Sequence, residues 1–245
     1  MIKYLLIIIT FLPVAVFSQE TKMVTKESNK PWSREVFYVL KSDKKTKHGN
    51  YQNFAYKNAV RINGYYKDGL KDSTWTEYHW QGKIKSMGTY KYDKQIGIWE
   101  YYDRNGELVQ KYNYTENKLI FNKENETLKD KEFSVINGSD TIKTKLDQSP
   151  IYIGGTDMML DAIATNIKYP KEAREAGIAG IVYITFTIDK NGKTSNHTVT
   201  KGIASVSDYE ALRVVKLIPD KWIPGQINGQ SVNTEFVCPI SFRLQ

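Results

Sequence analysis

A period of twenty-four residues constrains the fold of this chain more than any other feature. Gly49-Asn-Tyr51-Gln-Asn-Phe54, Ser73-Thr-Trp75-Thr-Glu-Tyr78 and Gly97-Ile-Trp99-Glu-Tyr-Tyr102 occupy equivalent places, as do Asn58, Gly82 and Gly106, and Tyr66, Tyr90 and Tyr114. A repeat this short cannot bury an apolar face alone, so its copies must stack and share one. Each copy reads as a hairpin, with an aromatic strand such as Trp75 to Trp80, a turn at Gln81-Gly82-Lys83 and a return strand such as Ile84 to Tyr92. Gly82 and Gly106 supply the positive φ of such turns. The regular aromatics are then the packing ladder of the stack, the alternative being rings that stack carbohydrate or nucleic-acid bases. Over residues 47–121 an all-β solenoid of hairpins is expected.

A second pattern begins near residue 150. Val182, Ile184, Phe186 and Ile188 alternate with Ile181, Tyr183, Thr185 and Thr187, the period of a strand with one buried face. Asp189-Lys190-Asn191-Gly192 is a hairpin turn signal, and Thr194 to Thr200 is the returning strand. Ser207 and Glu210 have the spacing of a capping box for a helix over about Asp208 to Ile218, which Pro219 ends. Thr156 is placed to cap an earlier helix over about Asp157 to Ile167, with Met159 or Leu160, Ile163 and Ile167 on one face. In the last strand, Val232, Thr234, Phe236, Cys238, Ile240, Phe242 and Leu244 form the apolar phase, and Asn233, Glu235, Val237, Pro239, Ser241 and Arg243 the other. Pro239 lacks an amide hydrogen, which puts this strand at a sheet edge, at least locally. The expectation for 150–245 is an α+β domain of two helices on a three-stranded antiparallel sheet.

The repeats of residues 47–121 resemble MORN-type repeats in the YwqK-like variant of bacteria. The C-terminal segment resembles a different family. The run from Asn166 through Tyr169-Pro170, Ala173, Gly177, Gly180, Val182 and Phe186, then Asp189, Gly192, Ala211-Leu212, Trp222-x-Pro224-Gly225 and Pro239-Ile-x-Phe242, is similar to the C-terminal domain of TonB energy transducers, closest to the Bacteroidetes type. The resemblance implies a periplasmic domain that pairs its last strand with the TonB box of an outer-membrane receptor. It implies partner contacts at Val232, Asn233, Thr234, Glu235, Phe236 and Val237 on that strand, and at Asn166, Ile167, Lys168 and Tyr169 before Pro170. Strand addition of this kind draws affinity from main-chain hydrogen bonds and selectivity from side-chain pockets.

The remaining segments are less informative. Residues 1–18 read as a signal peptide, with Lys3, an apolar run from Tyr4 to Phe17 and a cleavage site after Ser18. The run is shorter than the roughly twenty residues of a spanning helix, although an uncleaved leader anchoring the chain in the inner membrane is the alternative. No cysteine follows the run, which excludes a lipoprotein. Residues 19–46 read as a lead-in and 122–149 as a polar linker with one short strand around Phe133-Ser-Val135-Ile136. The net charge of +8 resides mainly in the repeats and their flanks. Lys41, Lys44, Lys45 and Lys47 form either a solvated loop or a contact to an anionic membrane surface. No Pro-rich spacer of the kind a transducer uses to cross the periplasm is present.

No catalytic pattern emerges. His48, His79 and His197 lie far apart and without a second ligand at metal spacing, and there is no phosphate loop or nucleophile elbow. His197 with Ser205, Ser207 and Asp208 does not make a credible triad, because Asp208 is accounted for as a first-turn acid. The expected function is non-enzymatic, without cofactor, metal or nucleic acid: capture of a receptor's box segment in energy-coupled transport, driven by an inner-membrane motor. The alternative is a non-energised envelope adaptor using the same domain and the repeats. Pairing with a second copy through the last strand is open to either.

Overall fold

The computed structural model describes residues 19–29, 32–124 and 126–244; the leader lies outside them. Nine strands form one antiparallel sheet in chain order. They are β1 (Thr21–Asn29), β2 (Trp32–Leu40), β3 (Lys47–Ala55), β4 (Ala59–Lys67), β5 (Leu70–Tyr78), β6 (Ile84–Lys91), β7 (Lys94–Tyr102), β8 (Leu108–Asn113) and β9 (Lys118–Asn122). The sheet therefore extends back to residue 21, through what the sequence suggests is a lead-in, by two strands, β1 and β2, that lie outside the 24-residue repeats. Gly82 and Gly106 turn at φ +82° and +83°.

One aromatic ladder holds this sheet. Tyr51, Tyr66, Trp75, Tyr90, Trp99 and Tyr114 follow one another edge to face, with centroids 5.4, 5.1, 5.8, 5.0 and 6.1 Å apart. Edge-to-face pairs stabilise by about 0.5–1.5 kcal/mol each beyond their burial. The ring of Trp75 lies on Gly64 and that of Trp99 on Gly88, where an added Cβ would sit 2.3 and 2.2 Å from the ring atoms. The alternative of rings open to bases or sugars fails here: Tyr51, Trp75 and Trp99 are buried by their neighbours. Lys47 and Lys71 roof the ladder, with Nζ 4.8 Å from the Tyr51 ring and 4.4 Å from the Trp75 ring. Lys47 is thus spent on packing and Lys41 on Glu20 (2.9 Å), which disperses the expected lysine cluster.

The second sheet has five strands, in the spatial order Asp140–Lys145, Glu132–Asn137, Asn233–Phe242, Gly180–Ile188 and Thr194–Lys201. Between the two sheets, α1 (Glu126–Lys129) leads into β10 (Glu132–Asn137) and β11 (Asp140–Lys145). After these come β12 (Ile151–Tyr152), α2 (Gly155–Asn166), α3 (Lys171–Glu175), β13 (Gly180–Ile188), β14 (Thr194–Lys201) and α4 (Ser205–Val215). The chain closes with β15 (Trp222–Ile223), β16 (Gln226–Ile227), β17 (Gln230–Ser231) and β18 (Asn233–Phe242). Val182, Ile184, Phe186 and Ile188 of β13 are buried with Cys238, Ile240 and Phe242 of β18 beneath α2 and α4. Each such side chain stabilises by roughly 1.5–3 kcal/mol on burial. The expected phases hold over Val182–Ile188 and over Thr234–Phe242, whereas Leu244 lies beyond β18 and is exposed.

Three expectations are corrected. Residues 122–149 are not a polar linker, because the β10–β11 hairpin within them joins the second sheet and adds two strands to the three expected. Phe133 and Val135 explain this, being 3% and 5% exposed, with Val135 on the face of its cross-strand partner Thr234. The capping box does not form: α4 starts at Ser205, the Ser207 hydroxyl is buried without a partner, and the Asp208 carboxylate accepts the Ile203 amide at 2.9 Å. Nor does Thr156 cap α2, whose cap is Gly154 at φ 104°.

The nine-stranded sheet meets the short β12–β15 pair and the start of α2 through a buried glutamine. Gln110 of β8 donates from Nε2 to the Tyr152 carbonyl (3.2 Å) and to Asn122 Oδ1 (3.0 Å), while its Oε1 accepts the Gly154 amide (2.6 Å). Ile153, Met158 and Ile223 pack on the last rungs of the aromatic cluster. Asp161 of α2 pairs with Lys85 at 2.8 Å and Arg104 at 3.4 Å.

Candidate functional site

The two predicted contact segments lie at different ends of one strand. Val232 precedes β18 and gives its amide to the Gly225 carbonyl (2.9 Å). Asn233 and Thr234 begin β18, and Glu235, Phe236 and Val237 continue it, each from Thr234 onward paired with β13. Asn166–Tyr169 lies instead by the far end, where the Tyr169 ring meets Phe242 at 5.5 Å. Phe242 is five residues beyond Val237, so roughly 17 Å of strand separates the segments. An extended partner must run along most of β18 to touch both.

The outer side of β18 is partly covered. β10 pairs antiparallel with it at two places only, Val135 with Thr234 and Ile136 with Asn233. Pairing with β13 on the other side runs unbroken from Thr234 to Phe242. The edge expected at Pro239 is present, because β10 has ended before it. Thr234 is wholly buried under this crossing and its hydroxyl has no partner, at a cost of about 1–3 kcal/mol. Asn233 Oδ1 accepts the Lys190 amide at 2.9 Å. Phe236, partly buried, packs at a tilt on Trp222 (4.9 Å) and Phe186 (5.6 Å) at the margin of the core. Beside Phe236 and Trp222 a cavity of about 370 Å³ opens between the two sheets, with Val109, Leu128 and Met159 also in its wall.

A charged latch that sequence reasoning missed holds the second segment. Glu210 of α4 accepts the Lys168 amide (2.6 Å) and two guanidinium bonds from Arg213 (2.7 Å each), and Arg213 also reaches the Asn166 carbonyl (2.7 Å). The Arg213 guanidinium, with the Lys168 amide assisting, holds the Glu210 carboxyl below its ordinary range against the opposing effect of burial. Charged hydrogen bonds of this kind contribute about 1.5–3 kcal/mol each. The only local sign of the latch is the i, i+3 spacing of Glu210 and Arg213. Because the folded pKa is depressed, the stabilisation is complete above the unfolded value near 4.5 and disappears as pH falls through the folded one. Glu210→Gln is therefore expected to cost roughly 2 kcal/mol at pH 7 and to flatten the acid limb of the stability curve below pH 4.5, checked by urea unfolding across pH. An unchanged limb would remove Glu210 as the acid-sensitive group.

The remaining polar candidates are accounted for locally. His197 stacks on Phe186 at 5.1 Å, and burial lowers its pKa. His48 pairs with Asp68 (3.1 Å) and His79 with the Tyr102 carbonyl (2.9 Å). Among the described residues no group of three or more His, Cys, Asp or Glu could hold a metal. Cys238 is buried, which pushes its thiol up to about 12. No described helix is long and apolar enough to cross a membrane.

No curated protein matches the chain. Two solution structures of the C-terminal domain of Helicobacter pylori TonB are similar to it. The one of residues 179–285 is 25% identical, covers 38% of this chain and 86% of its own, and has a TM-score of 0.29. The one of residues 194–285 is 26% identical, with coverages of 36% and 92% and a TM-score of 0.28. The nine-stranded sheet and the β10–β11 hairpin both lie outside the part that a family model covers. Residues 165–244, from the end of α2 through β18, match the family of Gram-negative bacterial TonB protein C-terminal domains.

Proposed function

We propose that this chain binds an extended segment of an outer-membrane receptor by strand addition along β18, as a TonB-like component of energy-coupled transport in the periplasm. The family match over residues 165–244 carries this reading, since it takes in both β18 and the Asn166–Tyr169 segment. Main-chain bonds along Glu235–Val237 would provide affinity, and Phe236 with the neighbouring cavity a place for a side chain. The inner-membrane motor belongs to the same proposal. No catalytic role is proposed for any residue.

A second reading, an adaptor without a motor, draws on a different observation. The repeat sheet is joined to the C-terminal domain through buried Gln110, a rigid coupling rather than a flexible tether.

The test is a titration of the full chain with synthetic peptides from the N-terminal segments of outer-membrane receptors of the same cell. Saturable binding is expected, with a loss of at least tenfold for Glu235→Pro. Folding of that variant is checked by Cys238 staying closed to thiol reagents. If no receptor peptide binds the native chain at millimolar concentration, the reading falls.

A further inference from the structure

We propose that the β10–β11 hairpin is a built-in competitor for the β18 edge, so that a captured strand must displace it. This rests on the strand-addition reading of β18 but concerns its regulation. Very little of the edge is free while the hairpin is docked. The Val232 amide is given to Gly225, Asn233 and Thr234 are paired with β10, and Pro239 has no amide hydrogen. Between these limits lie Glu235, Phe236, Val237 and Cys238, and strand alternation turns only about half of their backbone groups outward. That is too short a run to hold a strand by itself, whereas release of β10 restores a continuous edge from Asn233.

The hairpin is also built to leave. Two cross-strand pairs join it to β18, against nine between β13 and β18. Its other strand, β11, is an outer edge with Ile142 57% exposed, and no described strand pairs with it on that side. The anchors are Phe133 and Val135, both buried as alternate residues on the face that carries Thr234. The Thr234 hydroxyl left unpartnered beneath Val135 opposes the docking. Because the hairpin is tethered, it competes at a high effective concentration until a partner or a pull removes it.

The probe is a labelled peptide with this chain's own β10 sequence, Glu132–Asn137, added to the full chain. The native protein is expected to bind it at least tenfold more weakly than a Phe133→Ser, Val135→Ser double variant, whose hairpin is released. A Val135→Cys, Thr234→Cys variant, oxidised to lock the two strands together, is expected to bind none and to regain native binding on reduction. This lock keeps the question decidable if the release variant fails to fold. Equal binding by native, released and locked forms, or no binding by the released form while Cys238 remains protected, overturns the proposal. Receptor peptides are outside this experiment, so their failure would count against the strand-addition reading alone.

Discussion

Gly88→Val will destabilise the nine-stranded sheet by roughly 3 kcal/mol, the cost of overpacking a site with no room to yield. A Cβ on Gly88 would stand 2.2 Å from the Trp99 ring, inside any allowed contact. The ring has nowhere to go. Its Nε1 is bonded to the Thr89 carbonyl at 3.2 Å, Tyr90 and Tyr114 hold its edges, and Tyr101 lies 6.4 Å away on the side of the second sheet. Tyr101 in turn lies against Gly154, so a displaced Trp99 would disturb the junction as well. Urea unfolding followed by tryptophan fluorescence measures the loss. Trp99→Leu in the Gly88→Val background should recover part of it, a coupling that a merely unfavourable backbone would not produce. A loss below about 1 kcal/mol would mean that the ladder does not need glycine there.

Gln110→Leu is the second large effect. The side chain is wholly buried, and leucine fills similar space without its bonds. The Gly154 amide and the Tyr152 carbonyl would then be buried without these partners, at about 1–3 kcal/mol each. We expect a total near 3 kcal/mol, and a single cooperative melt divided into separate transitions for the two sheets. Amide exchange at Gly154 reports the local event directly, and its acceleration in the variant is the expected result. A variant that still melts in one step with Gly154 protected would show that Ile153, Met158 and Ile223 suffice to hold the junction.

Legibility in the sequence followed the range of the interactions involved. The strand from Ile181 to Ile188 and the phase of β18 were readable because alternation is a local property repeated over eight or more residues. The Gly82 and Gly106 turns were readable because positive φ restricts the residue choice at a single position. The capping box that the Ser207–Glu210 spacing suggests does not form, since local spacing omits what arrives from elsewhere. Glu210 is taken by the Lys168 amide, forty-two residues away in sequence, and by Arg213. The β10–β11 hairpin reads as a linker because only Phe133 and Val135 of β10 are buried, and β11, with one neighbour and an open far side, needs few apolar residues. Gln110 was invisible as a junction. It occupies the place of Ile62 and Ser86 in the earlier repeats, and nothing local distinguishes a polar exception from a surface position.

By itself the sequence determined the repeat strands within residues 47–121, the three strands β13, β14 and β18, their faces and the aromatic rungs, because period and alternation decide which side chains a strand can bury. It also carried the family resemblance of the C-terminal segment. Only the tertiary structure decided whether the edge of β18 is open. That depends on a hairpin about one hundred residues earlier, held by two strand pairs and two side chains, and pairing between strands so distant in sequence leaves no periodic trace in either.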